Sequence, residues 1–269
     1  MNKDKINNTY DDESNSSIND FDFSLICEYF SSIYRQGPGS DETTRRAMAL
    51  AGNPDSESTI ADIGCGCGSQ TLQLALCSGA RIKALDLFPL FVEKTMSRCN
   101  EAGVGDRVEG IVGNMECLPF EDGSMDVLWS EGAIYNIGFQ RGMKEWRRFL
   151  KKGGYIAVSE AVWLSDSRPS EIESFWNDAY PEIDTVSRKV QQMLDAGYED
   201  VKTFVLPDEC WTDNFYIPQL EAQRLFLERY PDSNVAHELV ANQRLEAELY
   251  SRYHNYYGYV FFVGRKAGG

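Results

Sequence analysis

The pattern of apolar and polar positions divides the chain into a central block of short apolar runs flanked by stretches of helical periodicity. In the centre, the runs at 59–63, 81–85, 107–112, 125–130 and 155–160 are apolar at successive positions, as strands covered on both faces must be. Between them, apolar residues recur at helical spacing over 69–78, 89–102 and 139–150. Pro89 suits a first helical turn, and Gly153-Gly154 after Lys151-Lys152 suits a helix exit. This β-α-β-α rhythm predicts an α/β fold in which a parallel sheet lies between helices.

The flanks follow different periods. An apolar-aromatic helical pattern over 21–34 is broken by Arg35-Gln36-Gly37-Pro38-Gly39. Ser40, followed by Asp41 and Glu42, is a natural N-cap for a helix reaching Leu50. Beyond Glu160, helices are predicted near 170–178 and 185–196, with a strand near 201–206. A long insertion over 207–256 carries helices near 218–230 and 235–253, and a last strand spans 258–265. Residues 1–18, rich in Asn, Asp and Ser, have no apolar period and are expected to be flexible. A chain of 269 residues accommodates one folding unit, here 19–269, with 19–54 as an N-terminal cap.

Charge narrows the choice of partners. With 26 Lys and Arg against 42 Asp and Glu, the net charge of −16 opposes general binding to nucleic acid, which needs a basic surface. The one dense basic cluster, Arg147-Arg148 with Lys151-Lys152, is the solvated end of a predicted helix. No apolar run approaches the roughly 18 residues that span a bilayer, and the N-terminus lacks the pattern of a signal peptide. Neither nucleic acid nor membrane is expected as a partner. Seven cysteines without disulfide-like spacing fit a reducing, cytoplasmic setting. Cys65-x-Cys67 has no nearby Cys or His to complete a zinc set, the two histidines being His237 and His254, so no metal is expected.

The candidate chemistry centres on Asp62-Ile63-Gly64-Cys65-Gly66-Cys67-Gly68, directly after a predicted strand and before a predicted helix. A sharp turn with closely approached backbone needs residues without side chains, and such turns lie where open α/β sheets bind ligands. Asp86 ends the next strand, where a carboxylate accepts both hydroxyls of a ribose. Gly113-Asn114-Met115 follows the third strand, Leu118-Pro119-Phe120 precedes the fourth, and Leu150 to Gly154 follows the fourth helix pattern.

In that order, Asp62 to Gly68, Asp86, Gly113 to Phe120, Asp126 to Ser130 and Leu150 to Gly154 resemble the successive motifs of class I S-adenosylmethionine-dependent methyltransferases, over roughly residues 55–160. Gln36 to Gly39 and Tyr257-Gly258-Tyr259 are similar to a small-molecule subgroup. The resemblance implies a Rossmann-like three-layer αβα sandwich. Its seven-stranded, mostly parallel sheet ends in an antiparallel strand, and a helical lid comes from the N-terminus and the 207–256 insertion. It implies S-adenosyl-L-methionine as cofactor, with Asp62, Gly64, Cys65, Gly66 and Gly68 at its methionine part. Asp86 and Leu87 would hold the ribose, Asn114 and Met115 the adenine, and Ser130 and Glu131 the end of the fourth strand. Asparagine replaces the frequent aspartate at 114, keeping a carbonyl acceptor without its charge.

The acceptor is expected to be a small molecule met by the strand ends and the lid. Tyr34, Tyr135, Trp163, Trp211 and Tyr216 are candidate substrate contacts, with Glu160 beside Trp163. Glu131 is a candidate acid or base, or else a structural carboxylate. His254 is a candidate base, or else a structural helix end. A nicotinamide dehydrogenase would require glycine where Ser69 stands. An aminopropyl transferase would need paired carboxylates for a polyamine. A cofactor-binding regulatory protein, or an interaction module on the same scaffold, remains a further alternative. A monomer or homodimer is expected.

Overall fold

The computed structural model describes residues 18–268. Most of the expected flexible segment, 1–17, lies outside the described residues. Helices α1 (Ile18–Ser31) and α2 (Asp41–Leu50) come first. Then follow β1 (Thr59–Ile63), α3 (Ser69–Cys77), β2 (Arg81–Asp86), α4 (Pro89–Glu101) and β3 (Val108–Val112). Next are β4 (Met125–Glu131), α5 (Phe139–Trp146), β5 (Leu150–Trp163) and α6 (Ser170–Ala179). The chain closes with β6 (Asp184–Thr185), α7 (Val186–Asp195), β7 (Tyr198–Val205), α8 (Ile217–Arg229), α9 (Asn234–Tyr253) and β8 (Tyr257–Lys266).

The sheet runs β3-β2-β1-β4-β5-β8-β7, with β6 attached to β5. All pairs are parallel except those of β8, which lies antiparallel between β5 and β7. The chain winds outward from β1 to β3 and then returns to place β4 on the other side of β1. That reversal leaves a crevice at the carboxyl ends of β1 and β4, where open α/β sheets bind ligands.

Alternate residues face opposite layers, so each strand feeds two cores. Ala61, Leu128, Val158 and Phe262 pack with Phe139, Met143 and Trp146 of α5 and Met193 of α7. Ile60, Val127, Ala157 and Phe261 pack on the other face with helices α1 to α4 and with the α8–α9 insertion. Segments remote in sequence meet there: Tyr29 Oη donates to Gln219 Oε1 at 2.7 Å, and Tyr230 Oη to Glu28 Oε2 at 2.7 Å. The cap also joins the insertion through backbone, Gly39 N to Cys210 O at 3.3 Å.

Three expectations are corrected. The helix predicted over 139–150 stops at Trp146, and after a single tight turn β5 begins at Leu150, five residues earlier than predicted. Leu150 to Gly154 is thus strand with an irregularity, since Met125 pairs with Leu150 and Val127 already with Tyr155. Asp126 holds that irregularity, accepting from Lys151 Nζ at 2.7 Å and from Thr59 N at 2.8 Å. An eighth strand, β6, adds two residues that no periodicity could announce. A π-turn over Thr212–Tyr216 precedes α8, where the sequence suggested loop.

Candidate functional site

Strand β1 hands over to α3 through the glycine turn. Gly64 N and Cys65 N both donate to Leu85 O of β2, at 2.8 and 3.0 Å, which holds the turn against the neighbouring strand. Gly64 has φ +77°, and a Cβ there would lie 2.5 Å from Ala133 Cβ. Gly68 caps α3 at φ +82°, and a Cβ would come within 2.8 Å of the Thr95 backbone. Both positions therefore demand glycine on conformation and on space. Burial pushes the Cys65 thiol well up, so it is not a thiolate available to a metal. No group of three or more His, Cys, Asp or Glu able to hold a metal occurs among the described residues.

Two carboxylates support this turn from different sides. Asp86 Oδ2 accepts from Gly66 N at 2.9 Å and Oδ1 from Phe88 N at 3.0 Å, so one side chain locks the loop to the start of α4. Burial raises its pKa while the amides of Phe88, Gly66 and Leu87 pull it down. Asp62 lies beneath the loop, fully buried, and accepts from Thr71 Oγ1 at 2.5 Å. Burial, against the Thr71 hydrogen bond, pushes Asp62 up to about 7.

Above the turn lies a cavity of about 560 Å³, in the size range of small-molecule sites. Gly64, Cys65, Gly66, Asp86 and Leu87 line one end with Asn114 and Met115. Asn114 Oδ1 accepts from Glu116 N at 2.8 Å, and Met115 O accepts from Trp146 Nε1 at 3.1 Å, which fixes this segment at the wall. Ile26, Phe30, Phe88 and Phe91 supply an apolar side. The far end is formed by Arg35 to Pro38 and by Glu131 to Ala133 with Tyr135, Asn136 and Ile137.

Arg35 and Glu131 face each other in this far wall. Arg35, 5% exposed, bonds Asp41 Oδ1 at 2.6 Å and stands 3.8 Å from Glu131 Oε2. Glu131 Oε1 accepts from Thr44 Oγ1 at 2.7 Å and Trp129 Nε1 at 2.9 Å. Burial raises the Glu131 pKa, opposed by Arg35 and by the two donors. Gln36 closes the cap onto the loop: its Oε1 accepts from Cys67 N at 2.8 Å while its amide donates to Phe30 O and Ile33 O.

Several sequence candidates sit elsewhere. Asp62, Gly68 and Ser130 lie one layer below the cavity, Ser130 donating to Ile63 O at 2.8 Å. Trp211 is buried and stacks on Tyr250 at 4.6 Å, because its large apolar face fills the joint between insertion and β8. Trp163 is covered by the Arg168 guanidinium at 4.3 Å, and Tyr216 is bonded to Glu246 at 3.0 Å behind the wall. Tyr34 faces outward under Arg98. His254 pairs with Asp208 at 3.2 Å beyond the end of α9, away from the cavity. Among the substrate candidates, only Tyr135 lines it. Sequence reasoning missed Arg35, although it directly precedes Gln36 to Gly39, and missed Phe88 and Phe91 around the Pro89 helix start.

A strand–glycine turn–helix at the switch point, with a buried carboxylate ending the next strand, defines a Rossmann-like protein with a site for a nucleoside-bearing ligand. Comparison with known proteins narrows the class. Residues 61–158 match the family described as methyltransferase domain, and that part of the chain is a class I methyltransferase domain. The chain is 25% identical over 164 residues to a sarcosine/dimethylglycine N-methyltransferase of Halorhodospira halochloris, covering 60% of this chain and 59% of that protein. It is 25% identical to a sterol 24-C-methyltransferase of Pneumocystis carinii, covering 60% of this chain and 44% of the relative. It thus spans less than two thirds of either relative. Among solved structures, a methyltransferase of Geobacter sulfurreducens in complex with S-adenosyl-L-homocysteine has a TM-score of 0.77 at 22% identity, covering 90% of this chain and 97% of that one. YjhP of Escherichia coli has a TM-score of 0.78 at 24% identity, covering 91% and 99%.

Proposed function

We propose that this chain is an S-adenosyl-L-methionine-dependent methyltransferase acting on a small molecule. The observation that carries the reading is the placement of Asp86 and the glycine turn at one end of a cavity whose other end continues to Tyr135. One end suits a nucleoside, and the remainder leaves room for a second reactant. The Gly64–Gly66 backbone and Asp86 would hold the methionine and ribose parts, with Asn114 and Met115 at the adenine. Arg35, the buried cation of the far wall, would meet the cofactor's carboxylate.

The cofactor, when bound, supplies a methyl group already activated on a sulfonium. What remains for the protein is to exclude water and align an acceptor, and orientation of this kind is worth on the order of 7–11 kcal/mol in ideal cases. Phe30, Phe88 and Phe91 exclude water on one side. Glu131, held by Thr44, Trp129 and Arg35, serves as a positioning residue that keeps Arg35 against the site. The cap and the 207–256 insertion, bonded to each other, act as the cover. A cytoplasmic setting fits seven cysteines that are all free.

Calorimetric titration tests the reading. Wild type should bind S-adenosylmethionine at micromolar levels and ignore NAD, since Ser69 takes the place of the dinucleotide glycine. Asp86→Ala should weaken S-adenosylmethionine by roughly 10–100-fold, as expected when a charge-assisted contact worth about 1.5–3 kcal/mol is lost. Equal binding by the variant would remove Asp86 from the site. Binding without any methyl transfer to a broad acceptor panel would favour the regulatory alternative.

A further inference from the structure

Behind the Gly132–Tyr135 wall lies a second cluster that the cofactor reading does not use. Tyr135 lines the cavity and is 44% exposed, yet burial pushes its hydroxyl up, with Glu246 and Glu160 adding to the rise. A side chain that water reaches while protein surrounds it faces an internal space. Tyr259 backs Gly132 so closely that a Cβ there would lie 3.0 Å from its ring. Tyr259 meets the Trp211 face at 4.9 Å, and Trp211 leads on to Tyr216, whose hydroxyl donates to Glu246 Oε1 at 3.0 Å.

Glu246 is the unusual member. It is half-buried, burial raises its pKa, and it forms no ion pair among the described residues. Glu160, by contrast, is neutralised by Lys189 Nζ at 3.2 Å and accepts from Tyr180 Oη. The Arg35 charge is likewise taken by Asp41 and Glu131. Beside Glu246, Tyr257 is fully buried, and its hydroxyl has no hydrogen-bond partner. Burial and the Glu246 charge both push that hydroxyl up, which puts the two groups near each other. An uncompensated carboxylate ringed by tyrosine faces and an unused hydroxyl acceptor is an environment for a cation, by charge and by cation–π attraction. The net charge of −16 draws cations to the same protein.

We propose that the methyl acceptor is an amine, attracted as its cation to Glu246 and the tyrosines Tyr135, Tyr216, Tyr257 and Tyr259 beside the cofactor cavity. This rests on the methyltransferase reading and names its substrate class. Before transfer the ammonium gives up one proton to a carboxylate and thence to water. The nitrogen lone pair then forms the N–C bond as the C–S bond breaks, and sulfur keeps that electron pair as a neutral thioether.

The test uses the full chain saturated with S-adenosylhomocysteine and titrated with choline, then with its uncharged carbon isostere 3,3-dimethylbutan-1-ol. Choline should bind at least tenfold more tightly than the isostere. Glu246→Gln should abolish that preference while S-adenosylmethionine affinity stays unchanged. Tyr257→Phe removes a hydroxyl that no protein group uses, so its Tm should not fall, yet choline should bind several-fold more weakly. A second arm supplies methyl-labelled S-adenosylmethionine with mixed primary and secondary alkylamines and their matched alcohols, and the label should enter the amines. Parity between choline and its isostere, an unchanged preference in Glu246→Gln, or label in alcohols alone would overturn the amine while leaving methyl transfer standing. Failure of wild type to bind S-adenosylmethionine would instead remove the cofactor reading, and this inference with it.

Discussion

Gly68 illustrates how much of the site is decided by single residues. Its φ of +82° is a left-handed conformation, and the Thr95 backbone occupies the space of a side chain. Gly68→Ala therefore combines left-handed strain with overpacking, together about 2–4 kcal/mol. A thermal melt should show a loss of several degrees or more. Asp62 is the residue whose stability contribution depends on pH. Its folded pKa of about 7 exceeds the usual carboxylate value, so between roughly pH 4 and 7 the folded state binds the extra proton. The stability due to Asp62 is thus present at low pH and lost as pH rises through about 7. Asp62→Asn, which cannot ionise, should become more stable relative to wild type across that window in denaturant titrations. A constant difference from pH 4 to 8 would contradict the shift. The sequence named Asp62 and Gly68 as cofactor contacts, but they act one layer below, because alternate strand residues and the helix-facing side of the turn point into the core.

At the scale of elements, α2 depends on its start. Ser40 Oγ accepts from Thr43 N at 3.0 Å, and Thr43 Oγ1 accepts from Ser40 N at 3.0 Å, a reciprocal cap. The next residue, Thr44, is the one that holds Glu131. Ser40→Ala should cost about 1 kcal/mol, visible as a Tm lower by roughly 2–4 °C. Because α2 carries Thr44, weaker S-adenosylmethionine binding should accompany it. An unchanged Tm would mean that Thr43 alone suffices. Most elements were legible at this scale. The cap of α2, the strands β1 to β4 and the two insertion helices follow from local signals, apolar period and turn residues. The β5 start was not, since Leu150 to Gly154 has the composition of a helix exit. Only pairing with β4, through Asp126, makes it strand.

For the whole molecule, the excess of acidic groups sets the response to salt. A net charge of −16 repels itself in the compact state, and most of its ion pairs lie at the surface, where each is worth about 0–1 kcal/mol. Raising ionic strength from about 0.01 M to 0.2 M shortens the screening length from about 30 Å to under 10 Å. Tm should rise by a few degrees over that range, and a fall would show that the surface pairs outweigh the repulsion. Among the described residues, no helix is long and apolar enough to cross a membrane.

By itself, the sequence determined the α/β rhythm, the glycine turn and the strand-end carboxylate, because each is written in neighbouring residues whose conformational limits are local. Which aromatic residues meet the cavity was decided only by tertiary structure. Tyr135 and Trp211 look alike as candidates, yet one lines the cavity and the other is 1% exposed under Tyr250. The Arg35–Glu131 pair and the Thr44 bond to Glu131 join the cap to β4. Such contacts depend on how the layers pack, and no local period along the chain carries that information.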